Sequence, residues 1–375
     1  MKIKFSNPKV ENKKIEKKLL KIFKNVINQD NYILDVQNKK FEINLKKYFS
    51  IKYALGVKNG TDALKLSLQS LNLKNKDEVI IPSLTATATG SAVLEAGGTP
   101  VIIDVDETAN INPKLLKKVI SKKTKAIIVV HLHGNMAKIK EIKRIAKGIT
   151  IIEDCAQSFG SKLKDKKAGT FGKIACFSFY PTKNLSAIGD GGAIITNDKK
   201  IFKKLLLLRQ YGWDKNRISI INGSNSRLDE LQAGILNLKI NSIDKNNIKR
   251  NNLAKNYLLK LKNLPLSFPH KSDQTFHSYH LFVALSNERD RLIKYLKNNN
   301  IYPSIHYKFP LHKMPSFKKY KKTSMKISQE MSKKLISLPV YPDLKFTEQE
   351  KIIKTIKDFY KKNGRKKNNY TSDSI

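Results

Sequence analysis

Up to about residue 200 the apolar residues fall into short blocks rich in Val, Ile and Ala, at 53–57, 78–81, 100–105, 126–131, 151–154, 175–179 and 193–196. Unbroken β-branched runs of this kind suit strands buried on both faces, so they predict a mostly parallel sheet. Between the blocks the apolar positions take helical spacing, as at Leu64, Leu68 and Leu71. An amphipathic helix is predicted over 10–27, with Ile15, Leu19, Ile22 and Phe23 on one face. The alternation implies a three-layer α/β domain.

After about Gln232 the pattern changes. The stretch 231–262 is rich in Asn and Lys and reads as a long charged helix leaving the first domain. Beyond it come a strand candidate at 280–284, a helix at 289–298 and a closing helix at 349–360, an order that fits a small α+β domain. The predicted organisation is a large domain over 1–240, a small C-terminal domain over 241–363 and a disordered polar tail over 364–375.

Composition changes this picture little. The formal charge is +42, with 73 Lys and Arg against 31 Asp and Glu. That excess raises a nucleic-acid reading, but the lysines are spread over nearly every surface segment and do not alternate with aromatics, so nucleic acid is not the expected partner. No apolar run approaches the length of a membrane span, and the first residues lack a signal-peptide core. Cys155 and Cys176 fall in or beside buried strands, as free structural thiols of a reduced, cytoplasmic protein do.

Three segments carry candidate chemistry. In V-K-N-G-T-D-A-L a strand ends, Asn59-Gly60 turns the chain, and Thr61-Asp62 caps a helix. Such a helix start can cradle a phosphate, or it can be a plain capped helix. In I-I-E-D-C-A-Q-S, Asp154 closes a strand at the edge where open α/β sheets bind ligands, with Gln157 just beyond it. Alone, Asp154 reads equally as a helix cap. In C-F-S-F-Y-P-T-K-N-L, Ser178 and Lys183 follow an apolar strand. A lysine amine that can bond an aldehyde, with an acid able to protonate a pyridine nitrogen, is what pyridoxal 5'-phosphate (PLP) requires.

Taken in order, N-G-T-D-A-L, D-E-V-I-I-P, G-G-T-P-V-I-I-D-V-D, E-D-C-A-Q-S-F-G, S-F-Y-P-T-K-N-L, N-S-R-L-D-E-L-Q-A, I-H-Y-K-F-P-L-H and S-L-P-V-Y-P resemble the DegT/DnrJ/EryC1/StrS family of PLP-dependent nucleotide-sugar aminotransferases. The likeness runs from about Tyr32 to Tyr360. It implies the type I, aspartate-aminotransferase-like fold. It makes Lys183 the Schiff-base lysine and sets Asp154 on the pyridine nitrogen. It also puts Gln157 on the phenolic oxygen and Gly60, Thr61 and Ser178 on the phosphate. Asn225 would reach the phosphate of a neighbouring subunit's cofactor, which implies a homodimer with shared sites. His306 and Tyr307 would lie near the substrate.

Three positions depart from the family pattern. Ala86 stands where an aromatic often stacks on the cofactor, His133 replaces an aromatic, and Asp35 replaces a glycine. Lys183, rather than the histidine of the family's sugar dehydratases, implies transamination. The implied reaction moves an amino group from glutamate to a nucleotide-linked keto-deoxysugar, with the N-S-R wording favouring a 3-keto over a 4-keto sugar. A surface polysaccharide or a secondary metabolite would use the product. A catalytically silent regulatory member and a PLP-dependent dehydratase are the competing readings. The histidine pairs His131/His133 and His277/His280 lack the flanking acid or cysteine of a metal site, so no metal is expected. Arg227 would orient the interface loop or form an ion pair.

Overall fold

A computed structural model describes residues 2–369 of the chain, with side chains through residue 362. Seven strands form the central sheet: β1 (Tyr53–Val57), β2 (Glu78–Pro82), β3 (Thr99–Ile103), β4 (Thr124–Val130), β5 (Thr150–Asp154), β6 (Ile174–Ser178) and β7 (Gly192–Thr196). Their spatial order is β1-β7-β6-β5-β4-β2-β3. All neighbours are parallel except β7, which runs antiparallel to both β1 and β6. Each predicted block lies on one of these strands, within one or two residues at the ends.

Side-chain alternation explains why both faces are covered. Ile80, Ile127 and Val129 face one layer, in the core that also holds Phe41, Leu45 and Phe49. Val79, Ile81 and Ile128 face the other, in the core that also holds Leu64, Leu66 and Leu68. The first layer includes the helix Val36–Phe49, and the second the helices Gly60–Gln69 and Thr87–Glu95. The predicted helix over 10–27 is two, Pro8–Lys14 and Glu16–Ile27, broken at Ile15 where the backbone leaves helical geometry. The long charged helix is likewise interrupted, as Glu230–Lys239 and Ile243–Leu261 flank a 3-10 turn.

The small domain has its own core, in which Tyr257, Phe282, Leu292, Leu296, Ile336, Ile352 and Ile356 meet. Its antiparallel pair is β8 (Phe282–Leu285) with β9 (Leu335–Leu338). The chain start belongs here too: Ile3–Lys4 pairs with Ile301–Tyr302, and Ile3 is buried in the small-domain core. The closing helix runs over Phe346–Asn369, longer than its apolar stripe predicts and into the stretch read as a polar tail. The rest of that tail, 370–375, lies outside the described residues. Asp35 has a negative φ of −109°, and the left-handed conformation a glycine would favour falls instead on Leu34.

Candidate active site

The site forms where β1, β5 and β6 end. After β1, the helix Gly60–Gln69 begins behind Asn59, whose Oδ1 accepts the Asp62 N–H at 2.8 Å. Asn59 is therefore the cap, in place of the expected Thr61-Asp62, because its extended backbone turns the side chain back over the first turn. Thr61 sits within that turn. A Cβ on Gly60 would stand 2.7 Å from Ser178 Cβ and 3.2 Å from its Oγ. Only glycine lets the helix start come this close to the hydroxyl. Gly192 makes the same allowance behind the cap, where a Cβ would meet the Asn59 carbonyl at 2.3 Å. Free N–H groups at a helix start with a hydroxyl against them fit a phosphate.

Lys183 lies past the end of β6, in a turn closed by its own N–H on the Tyr180 carbonyl at 2.8 Å. The turn is anchored by Asn184, whose Nδ2 donates to Asn247 Oδ1 at 2.7 Å and to the Ser278 carbonyl at 3.1 Å. Its Oδ1 is left to accept from His280 Nδ1 at 3.1 Å. Burial pushes the Lys183 ammonium down to about 8, and the neighbouring Asp154 carboxylate resists that shift. Asp154 is 5% exposed at the end of β5. Burial pushes its carboxyl up, against the Ala156 N–H at 3.1 Å, the Lys183 charge and the Thr89 hydroxyl at 3.2 Å. A lysine that readily loses its proton and an acid that still wants a cationic partner suit an amine-bonded pyridine. The cradle and this pair together fit PLP.

Gln157 is held at both ends. Its Oε1 accepts the His133 N–H at 2.7 Å, and its Nε2 donates to Tyr307 Oη at 2.9 Å. Burial and the Asp154 charge push the Tyr307 hydroxyl up, so it stays protonated. His306 lies beside it, with Nδ1 at 2.9 Å from Ser337 Oγ and its ring 5.4 Å from that of Phe5. Burial, with the His133 and Lys183 charges, pushes His306 down to about 3. Both predicted substrate residues thus reach the site from the small domain.

Asn225 lies on the segment that follows the helix Lys199–Arg209. It is exposed, its backbone bridged to Gln210, and Ser226 Oγ next to it lies 3.5 Å from the Lys58 nitrogen. Arg227 places its guanidinium over the Tyr211 ring, 5.9 Å from the centroid, and no ion pair of Arg227 is seen among the described residues. His131 and His133 do not share a strand face, because β4 ends at Val130 and His133 takes a left-handed backbone. His131, Glu153 and Cys155 bring possible ligand atoms within 4.8 Å of one another. Hydrogen bonds already engage the first two: His131 Nδ1 accepts the Ala137 N–H at 3.0 Å and Nε2 donates to Glu153 Oε2 at 2.9 Å. Thr89 is the site residue that the motifs did not single out. A hydroxyl in the first turn of a helix at the ligand edge of the sheet was the available signal.

Known proteins share this arrangement. The model of the DegT/DnrJ/EryC1/StrS aminotransferase family matches residues 13–357. A dTDP-3-amino-3,6-dideoxy-alpha-D-galactopyranose transaminase from Aneurinibacillus thermoaerophilus is 38% identical, over 92% of this chain and 96% of its own length. A pleiotropic regulatory protein of Geobacillus stearothermophilus is 35% identical, over 92% and 95%. The crystal structure of S. venezuelae DesV in complex with a ketimine intermediate superposes with a TM-score of 0.93 at 32% identity, covering 96% of this chain and 98% of that one. Among the described residues no helix is long and apolar enough to cross a membrane. With Lys183, Asp154 and the phosphate cradle assembled on that scaffold, the chain belongs to the DegT/DnrJ/EryC1/StrS aminotransferase family and is a PLP-dependent sugar aminotransferase.

Proposed function

We propose that the chain transfers the amino group of glutamate to C3 of a nucleotide-linked 3-keto-deoxysugar, as a homodimer whose subunits complete each other's sites. The observation that carries the reading is Lys183, its charge weakened by burial, beside an Asp154 whose carboxyl burial pushes up despite that charge. When bound, PLP supplies the electron sink that stabilises negative charge on the amino-bearing carbon. Gly60, Thr61 and Ser178 hold its phosphate, Asp154 keeps the ring nitrogen protonated, and Gln157 donates to the phenolic oxygen. Lys183 Nζ would take the proton from the amino-bearing carbon and hand it to the carbon on the cofactor's side of the C–N bond. The 3-amino product in the name of the Aneurinibacillus relative supports the C3 assignment.

Two features support the dimer. Asn225 is exposed on the 211–228 segment, and Ile218 and Ile220 of that segment leave 59% and 56% of their surface in solvent. Tyr180 and Ile188, which flank the lysine turn, are also exposed, and a second copy would cover such apolar groups. Purified protein should carry a visible band that glutamate bleaches. A panel of keto-sugar nucleotides with glutamate, read by product mass and NMR, should then give nitrogen at C3. A band unchanged by glutamate would favour a regulatory role, and nitrogen at C4 would overturn the regiochemistry.

A further inference from the structure

Gln157 belongs to a closed circuit that joins the two domains. From the large domain, the His133 N–H holds Gln157 Oε1 at 2.7 Å, and His133 Nε2 donates to the His306 carbonyl at 3.1 Å. From the small domain, Tyr307, the next residue after His306, accepts from Gln157 Nε2 at 2.9 Å. The His133 backbone is left-handed, with φ of 63°. This lets one residue aim its N–H at Gln157 while its ring reaches the carbonyl of His306. Phe5 and Ser337 brace the His306 ring from behind.

We propose that His133 and Tyr307 are positioning residues: together they clamp the small-domain loop at His306 to the large domain and fix the side-chain amide of Gln157, so that one Nε2–H stays free for the cofactor's phenolic oxygen. An amide flipped end for end would present its carbonyl to that oxygen and repel it. The His133 N–H can only donate, so a flip would lose its bond to Oε1 and set two donors against each other, whereas the Tyr307 hydroxyl can meet either end and holds the amide in place. A phenylalanine at position 133 keeps the N–H contact but has no donor for the His306 carbonyl, so half of the clamp depends on the imidazole. Burial pushes this imidazole down to about 4, and the neutral ring carries its proton on Nε2, where the carbonyl needs it.

The inference rests on the PLP reading and is tested apart from it. The readout is the pH midpoint at which the visible band shifts as the cofactor nitrogen linked to Lys183 loses its proton. A donor on the phenolic oxygen draws charge from it; without the donor the oxygen is more negative and holds that proton more tightly, so the midpoint rises. Gln157→Ala should raise the midpoint most. Tyr307→Phe and His133→Phe should each raise it by about half a unit or more and weaken PLP binding about fivefold, the effect of losing one neutral hydrogen bond. His133→Gln, which restores a side-chain donor, should recover part of the shift, and the His133→Phe/Tyr307→Phe pair should shift less than the sum of the singles.

If Gln157→Ala moves the midpoint while Tyr307→Phe and His133→Phe lower only thermal stability, the clamp is structural and the inference fails. If the wild-type protein takes up no PLP, the reading beneath it fails instead.

Discussion

Two neighbouring carboxylates at the end of β5 have opposite fates. Glu153 is fully buried and accepts from the N–H groups of Phe171 at 2.7 Å, Gly172 at 2.6 Å and Gly169 at 2.8 Å, with His131 Nε2 at 2.9 Å. Burial alone would push its carboxyl up, but His131 and these donors hold it below the ordinary value. Asp154 points to the opposite face and receives one N–H and one hydroxyl at longer range. Its carboxyl is pushed up by burial, and these contacts with the Lys183 charge do not reverse the shift. The strand's alternation thus delivers one carboxylate to a saturated structural nest and its neighbour to a site where two hydrogen bonds and the Lys183 charge do not offset burial. A buried acid that is short of partners marks function, whereas one fully supplied marks architecture.

The harshest test of the functional side removes what Asp154 works with. Lys183→Ala should lower turnover by about 10⁴-fold, the upper range for a positioned base, and leave any bound PLP removable by dialysis. Retention of covalently reducible cofactor by that variant would show that another amine carries it.

Paired substitutions at the two acids come next. Asp154→Asn should cost about 10²–10³-fold in kcat with little change in the midpoint of urea unfolding, since it removes charge from a weakly bonded group. Glu153→Gln should do the reverse. Its carboxamide brings donor hydrogens towards backbone N–H groups, so about 2–4 kcal/mol of stability should be lost with far less effect on kcat. Equal stability losses in both variants would erase the distinction.

A smaller effect follows from the Lys183 amine, which attacks PLP only when uncharged. Added to cofactor-free protein, PLP should develop its visible band at a rate that rises with pH to a midpoint near 8. Asp154→Asn removes the charge that favours the ammonium, so the midpoint should move lower. A midpoint near the ordinary 10.5 would mean that the turn leaves Lys183 solvated.

Much of this was legible in the sequence, and the exceptions have physical reasons. The seven strands could be read because buried parallel strands need continuous apolar runs, which leave little freedom of composition. The placement of Lys183, Asp154 and Ser178 at or just past strand ends could be read because each is tied to its strand by short, motif-bearing chain. The roles of Glu153 and His131 could not, since their partners at 169–172 and Ala137 meet them only after folding. The break at Ile15 was hidden because the apolar stripe continues through it. Likewise, Ile3 gives no sign in the sequence that the chain start pairs with Ile301 across the molecule. His133 was visible only as a departure from a pattern; its partners come from two domains.

The finest test of the comparison is the slope of stability against pH, measured on cofactor-free protein by urea unfolding. Glu153 titrates lower in the fold than in the unfolded chain, so its contribution is complete above the ordinary 4.5 and fades as pH falls through the folded value. The stability difference between wild type and Glu153→Gln should therefore grow as pH rises through the acid range. Asp154 titrates higher in the fold than its ordinary 3.8. Below 3.8 both states hold the proton; above it the unfolded chain releases the proton first, so the fold loses ground until its own carboxyl ionises. The difference between wild type and Asp154→Asn should accordingly shrink as pH rises over the same range. Slopes of the same sign would mean that the two carboxylates share one environment after all.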